Sequence, residues 1–344
     1  MSAHPGRFPG SFRLWLVGAL AALFLVALWS FSVGRFPVSA ADVWRAIWAA
    51  MTGGESGLSA NAEAVVLQIR APRVIAALAV GAALASAGAA YQNLFKNPLV
   101  SPDILGVSAG CALGAGIAIL LSLPVGAVHA FSFAGGLAAV GLVVVIGTWV
   151  GGRDPILTLI LTGVVVGSLF AAGIALVKFV ADPYNQLPAI VFWLLGSFTG
   201  VLPRDLAIGL PLIVAGVLVL WLLRWRIDVL ALSDDEALSL GVDVKRLRLA
   251  VIVTATLVTA SAVSLAGTIG WVGLVVPHAA RLVVGASFPR VLALSIVLGA
   301  GFMLAVDTMC RTAFATEIPP GVATAFVGTP VFIALLALTF RRSA

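Results

Sequence analysis

The 344 residues are 61% hydrophobic and only 10% charged, with a mean hydropathy of +1.15 and a formal net charge of +6. No water-soluble core hides that much apolar surface, so a soluble enzyme or binding module is excluded and a membrane protein is expected. The two cysteines, Cys111 and Cys310, both fall in apolar runs and read as buried packing residues, with neither a disulfide framework nor a metal site supported.

A bilayer core of roughly 30 Å takes about 20 helical residues per crossing. In chain order, ten apolar segments qualify: 14–33, 72–94, 103–122, 129–150, 156–179, 205–223, 249–268, 271–284, 290–310 and 322–340. The eighth is short and carries Pro277, so it need not span fully. The runs are continuous and lack two-residue alternation, which argues for helices over a lipid-facing barrel. The expected fold is therefore all-α: a polytopic membrane protein of about ten transmembrane helices, with one permease domain over residues 1–344.

The first apolar run is about 20 residues, longer than a signal-peptide core, so a retained helix is favoured although Val38-Ser39-Ala40 superficially resembles a cleavage site. With the amino terminus in the cytoplasm, most of the 20 basic residues fall on the inner side, as the positive-inside rule requires. That orientation gives a cytoplasmic tail at about 1–13, a long cytoplasmic loop at about 224–248, and both termini inside. No basic stretch is interleaved with aromatics, so nucleic acid is not an expected partner.

Before the second span, Arg70-Ala71-Pro72-Arg73 places two arginines at one mouth, and that span runs into Gln92-Asn93-Leu94-Phe95-Lys96-Asn97-Pro98-Leu99. Within it Ala77, Gly81, Ala85 and Ala89 recur every four residues, as do Gly106, Gly110 and Gly114 in the third span. Each series makes a smooth face for close helix approach, which is what holds bundles together in lipid. In the 224–248 loop, Ser233 or Asp234 can cap a short helix with Asp235 and Glu236 in its first turn and Gly241 at its end. Such a surface helix can transmit a push from a partner.

The chain has no glycine-rich phosphate loop and no Gly-Lys dipeptide, so it does not itself hydrolyse ATP by that route. Asp103, Asp154, Asp182, Asp205, Asp307 and Glu317 all fall near expected span ends, which weakens an ion-coupled carrier that works alone. Three scattered histidines with terminal carboxylates do not assemble an enzyme site either.

Arg70-x-Pro72-Arg73, Asn97-Pro98-Leu99, Leu105-Gly106-Val107-Ser108-x-Gly110, Trp193-Leu194-Leu195-Gly196-Ser197, Gly270-x-Val272-Gly273-Leu274-Val275-Val276-Pro277-His278-x-x-Arg281 and Glu317-Ile318-Pro319-x-Gly321 lie in order from about Arg70 to the carboxyl terminus. The chain resembles the FecCD permeases, the membrane subunits of type II ABC importers. That resemblance implies a ten-helix subunit of the bacterial inner membrane that forms a homodimer around one pathway. Two cytoplasmic ATPases and a periplasmic or lipid-anchored binding protein are the implied partners. It implies no cofactor in this chain, with ATP and magnesium on the ATPase, and no catalytic or metal-binding residue.

The resemblance also distributes roles. Arg70, Arg73 and Arg311 are matched to binding-protein docking; for Arg311 an internal pair with Asp307, four residues earlier, is the rival. The helix from Asp234 to Gly241 is matched to the ATPase coupling helix, with Glu236 in its first turn, Ala237, Leu238 and Leu240 as apolar contacts and Gly241 at its turn. The pathway is expected along the fifth span and residues 187–195, with Ile156 and Leu157 at the inner constriction and Asn185, Gln186 and Thr199 flanking the outer opening. His278 is expected to be structural. An iron chelate, siderophore or haem, is the first-choice cargo, with cobalamin or an oxyanion as alternatives.

Overall fold

The computed structural model describes residues 9–34, 36, 38–152, 154–313 and 316–343, so Arg153 and most of the expected amino-terminal tail lie outside the described residues. It is all helical, with no strand among the described residues. Helix α1 spans Pro9–Ser32 and α2 spans Ala40–Thr52. A short α3, Ala60–Ala64, continues through a wide π turn at Val65–Arg70 into α4, Ala71–Leu94. After a 3-10 turn at Pro102–Leu105 come α5 (Val107–Leu120), α6 (Val125–Val150), α7 (Pro155–Val180) and α8 (Gln186–Leu194). Then follow α9 (Pro203–Leu222), α10 (Arg224–Val229), α11 (Asp234–Ser239), α12 (Val244–Ala266), α13 (Val272–Val284), α14 (Phe288–Thr312) and α15 (Pro320–Ser343).

Each of the ten expected spans has a helical counterpart, but they are not equivalent. Eight helical stretches are long and apolar enough to cross a membrane by themselves, and α5 and α13 are not. At about 1.5 Å per residue, α5 reaches about 21 Å, short of a bilayer core. Its shortening has a local cause: Pro102 starts a separate 3-10 turn, and Gly106 adopts φ +75° and breaks the continuity before Val107. Gly106 is thus a turn residue, where four-residue spacing had placed it on a helix face.

Helix α4 is the hub. Its side chains are buried almost throughout, as are most of those of α12 and α14, whereas α1, α6, α7, α9 and α15 are mostly open on this subunit. Small residues make this possible. A Cβ on Gly81 would overlap the carbonyl of Gly299 in α14, and one on Gly299 would overlap the carbonyl of Gly81. Dispersion between backbones brought this close is what lipid cannot replace.

Candidate functional site: two ends of one buried helix

At the start of α4 the π turn adds an extra residue per turn, and both Arg70 and Arg73 reach one cluster. Arg70 is buried and donates to the carbonyls of Phe31 and, at 2.5 Å, Phe36. Arg73 donates to Asp307 through Nη2 at 2.9 Å and Nε at 3.1 Å, and to Glu317 Oε2 through Nη1 at 2.9 Å. Arg311 donates to the Val33 carbonyl at 2.7 Å, to the Ser30 hydroxyl at 2.8 Å and to the Ser30 carbonyl, while its Nε lies 3.8 Å from Asp307. Asp307 is fully buried between two guanidiniums.

All three arginines expected to face a partner are therefore committed first to their own chain. They clasp the last turn of α1 and the segment after it onto α4 and α14, and the rival reading of Arg311 as a partner of Asp307 has a geometric basis. Three cations against two carboxylates leave one uncompensated positive charge beside a cavity of about 190 Å³ lined by Phe36, Ile69, Arg70, Arg73, Arg311 and Glu317. Glu317 keeps about a third of its side-chain surface, against 12% for Arg73. Sequence reading missed the acceptors: the carbonyls of Ser30, Phe31, Val33 and Phe36 carry no residue signature.

The opposite end of α4 faces the 224–248 loop. Gln92 donates to the Leu274 carbonyl at 3.1 Å, Asn93 donates to the Ile227 carbonyl of α10 at 2.5 Å, and the Lys96 ammonium donates to the Leu232 carbonyl. Asp228 accepts the backbone N–H of Phe288, at the start of α14, at 2.7 Å. Both central rods thus end on α10 and the turn that leads into α11.

Helix α11 forms where the sequence placed it. The Ser233 hydroxyl accepts from the Glu236 N–H at 3.3 Å, and Glu236 Oε2 accepts from the Ser233 N–H at 2.9 Å, a reciprocal cap. Asp234 pairs with Arg248 at 2.7 Å. The helix stops at Leu240, and Gly241 turns the chain with φ +77°. Hydrogen bonds from Ser233 hold the Glu236 carboxyl below its ordinary value. One expected contact differs: Ala237 is buried against its own chain, so the exposed apolar pair is Leu238 and Leu240.

The expected pathway residues do not form one cluster. Ile156 and Leu157 are in the first turn of α7, their N–H groups donating to Asp154 at 2.9 and 3.2 Å. At the other end of α7, Asn185 bonds to Asp182 at 2.9 Å and Gln186 donates to the Leu120 carbonyl at 2.7 Å, so both build the turn into α8. Thr199 belongs with the arginine end, its hydroxyl donating to Glu317 at 3.1 Å. His278 is buried with its ring 6.3 Å from that of Phe332, and among the described residues no group of three or more His, Cys, Asp or Glu is placed to hold a metal.

A charged clasp thus closes one end of the helical bundle, and a capped surface helix lies at the other. The FecCD transport family model matches residues 21–338, and the chain belongs to that family. It is 35% identical to the molybdate import system permease protein MolB of Haemophilus influenzae, over 94% of this chain and 95% of that one. It is 41% identical to the cobalamin import system permease protein BtuC of Halobacterium salinarum, over 81% of this chain and 75% of that one. A solved inward-facing conformation, assigned to the metal-chelate type of ABC transporter, superposes with a TM-score of 0.84 at 33% identity, covering 94% of this chain and 99% of that one. The chain is therefore the permease subunit of an ABC importer, and ATP is hydrolysed by a separate subunit.

Proposed function

We propose that this chain pairs with a second copy in the bacterial inner membrane to import an iron chelate, with both termini cytoplasmic. The arginine end then faces the periplasm and receives a binding protein, and α11 meets one of two ATPases. Alternating access follows from ATP's differential affinity for the two states of the assembly.

The observation that carries this reading is the buried α4 rod. One of its ends is fixed in the arginine clasp and the other bonds directly to α10 and to the turn before α11. A push at either end reaches the other through one packed element. The surplus positive charge beside the outer cavity suits an acidic contact on the binding protein, Arg70, Arg73 and Arg311 acting as a preassembled cluster. The exposed Leu238 and Leu240, at the tip of a helix with Asp234 and Glu236 in its first turn, suit a groove on the ATPase. Ile156 and Leu157, at the cytoplasmic mouth of α7, remain the proposed inner constriction, and Thr199, Asn185 and Gln186 frame the outer side.

The metal-chelate relative supports the chelate reading, and the molybdate relative, matched over nearly the whole chain, favours an oxyanion as the second reading. The test is uptake into proteoliposomes that contain the permease with its ATPase and binding protein, supplied with a ferric hydroxamate, haem, cobalamin or molybdate. ATP-dependent accumulation of the ferric hydroxamate or of haem alone is the expected result. Accumulation of molybdate alone selects the second reading, and uphill transport by the permease without its ATPase removes both.

A further inference from the structure

Asp103 was expected near the end of a span. The fold puts that end beside the middle of α4. Its neighbour Pro102 packs against Gly273 beside the carbonyl of Leu84, which is close to the middle of α4. On its other side the Ile104 carbonyl abuts Gly163, on the order of 12 Å along α7 from its first residue. The 3-10 turn at Pro102–Leu105 is thus held beside the middle of α4 and about a third of the way along α7. Asp103 is nonetheless exposed on this subunit, and it opens into a cavity of about 420 Å³ shared with Ser108, Thr268, Trp271, Val322 and Ala325.

The Ser108 hydroxyl donates to the Asp103 carboxylate and fixes its orientation. Among the described residues no Lys, Arg or His forms an ion pair with it. The cavity wall also includes Thr268, Ile269, Gly270 and Trp271, a non-helical stretch between α12 and α13. Backbone outside helices is tolerated at membrane depth only where protein or a water-filled cavity surrounds it. An unpaired carboxylate in such a place marks a solute path.

We propose that Asp103 is a specificity residue of the translocation pathway, favouring cationic and neutral metal chelates over free anions. This rests on the importer reading above. In the proposed dimer the two carboxylates face one path and make a negative ring, the device that cation-selective pores use. A bare oxyanion is repelled there, whereas a chelate whose charge is cancelled or inverted by its metal passes.

The test reads the field of the site directly and needs no cargo. In the complete permease–ATPase complex in nanodiscs, Ala325→Cys serves as reporter, the native Cys111 and Cys310 being buried. Its reaction rates with a cationic trimethylammonioethyl and an anionic sulfonatoethyl methanethiosulfonate are compared. Asp103→Asn is expected to lower the cation-to-anion rate ratio about tenfold, and Asp103→Glu to keep it within about twofold. A ratio unchanged within about twofold in Asp103→Asn overturns the proposal. If Ala325→Cys is inert to both reagents, Asp103→Cys decides: modification supports an open pathway position, and its inertness to both overturns it. An importer reading that fails in the uptake assay leaves these rates unaffected, so the two failures are distinct.

Discussion

The two ends of α4 hold their partners by different chemistry. At the arginine end, the buried Asp307 is gripped by Arg73, and the guanidiniums of Arg70 and Arg311 reach across more than 30 residues of chain to backbone carbonyls. At the loop end, the amides of Gln92 and Asn93 and one ammonium donate to single carbonyls. A buried ion cluster is stable only when complete, because removing one member strands an uncompensated charge. Amide-to-carbonyl bonds are weaker and can be exchanged one at a time. The first end is stable only as a whole, whereas bonds at the second can be exchanged singly, as the proposed coupling through α10 and α11 requires.

The largest expected effect follows from the clamp. Arg73→Ala leaves Asp307 and Glu317 without their shared guanidinium and should lower unfolding stability by about 3–5 kcal/mol. Thermal unfolding in detergent reads the loss. Arg73→Lys keeps the charge but not the fork and should fall between the two. A change in Arg73→Ala of under about 1 kcal/mol would mean that the cluster behaves as a surface pair and clamps nothing.

A smaller loss is expected at the other end. Asn93→Leu removes one donor to the Ile227 carbonyl, which still accepts from the Leu230 N–H at 3.0 Å, at about 0.5–1.5 kcal/mol. The assembled complex should keep its basal ATPase activity while stimulation by the binding protein drops severalfold. If stimulation survives intact, α4 does not carry the signal to α10, and the comparison between the ends loses its functional half.

Gly241 sharpens the comparison on the partner side of the loop. A Cβ there meets open space, so Gly241→Ala tests backbone conformation alone, at φ +77°. A cost of about 1 kcal/mol is expected, enough to reduce uptake while the ATPase still assembles. Asn tolerates this conformation better than Ala, so Gly241→Asn should retain more transport. Equal uptake by all three would show that the turn after α11 has no part in coupling.

Much of this architecture was legible because length and continuity of apolar runs carry it. The ten segments, the capped α11 and the Gly81 face all follow from local pattern. What the sequence hid are contacts whose acceptors have no identity. The Arg311 bond to Ser30 spans 281 residues and ends partly on a carbonyl, which any residue supplies. Asn93 and Lys96 stood in a stretch that attracted notice, but a side chain aimed at a backbone atom leaves no complementary mark elsewhere in the chain. Asp103 lies just before α5, at a span end as expected, but its place beside the middle of α4 was hidden because a span counted from apolar composition ignores the break that Pro102 and Gly106 impose.

The smallest effect concerns the cap of α11. Glu236 is fully exposed, and the Ser233 N–H, then the Ser233 hydroxyl, hold its carboxyl below the ordinary value of 4.5. A depressed folded value means that the cap contributes while the carboxylate is ionised and is lost as pH falls through that lowered value. Protection of the Ser233 and Glu236 amides from hydrogen exchange, corrected for intrinsic rate, should therefore be flat on the neutral side and decline only below the ordinary value of 4.5. In Glu236→Gln the residue no longer titrates, so protection should be lower at neutral pH and independent of acidification. A decline in that variant as steep as in the native chain would show that the Glu236 carboxylate is not the acid-sensitive group. The cap would then serve only to start the helix.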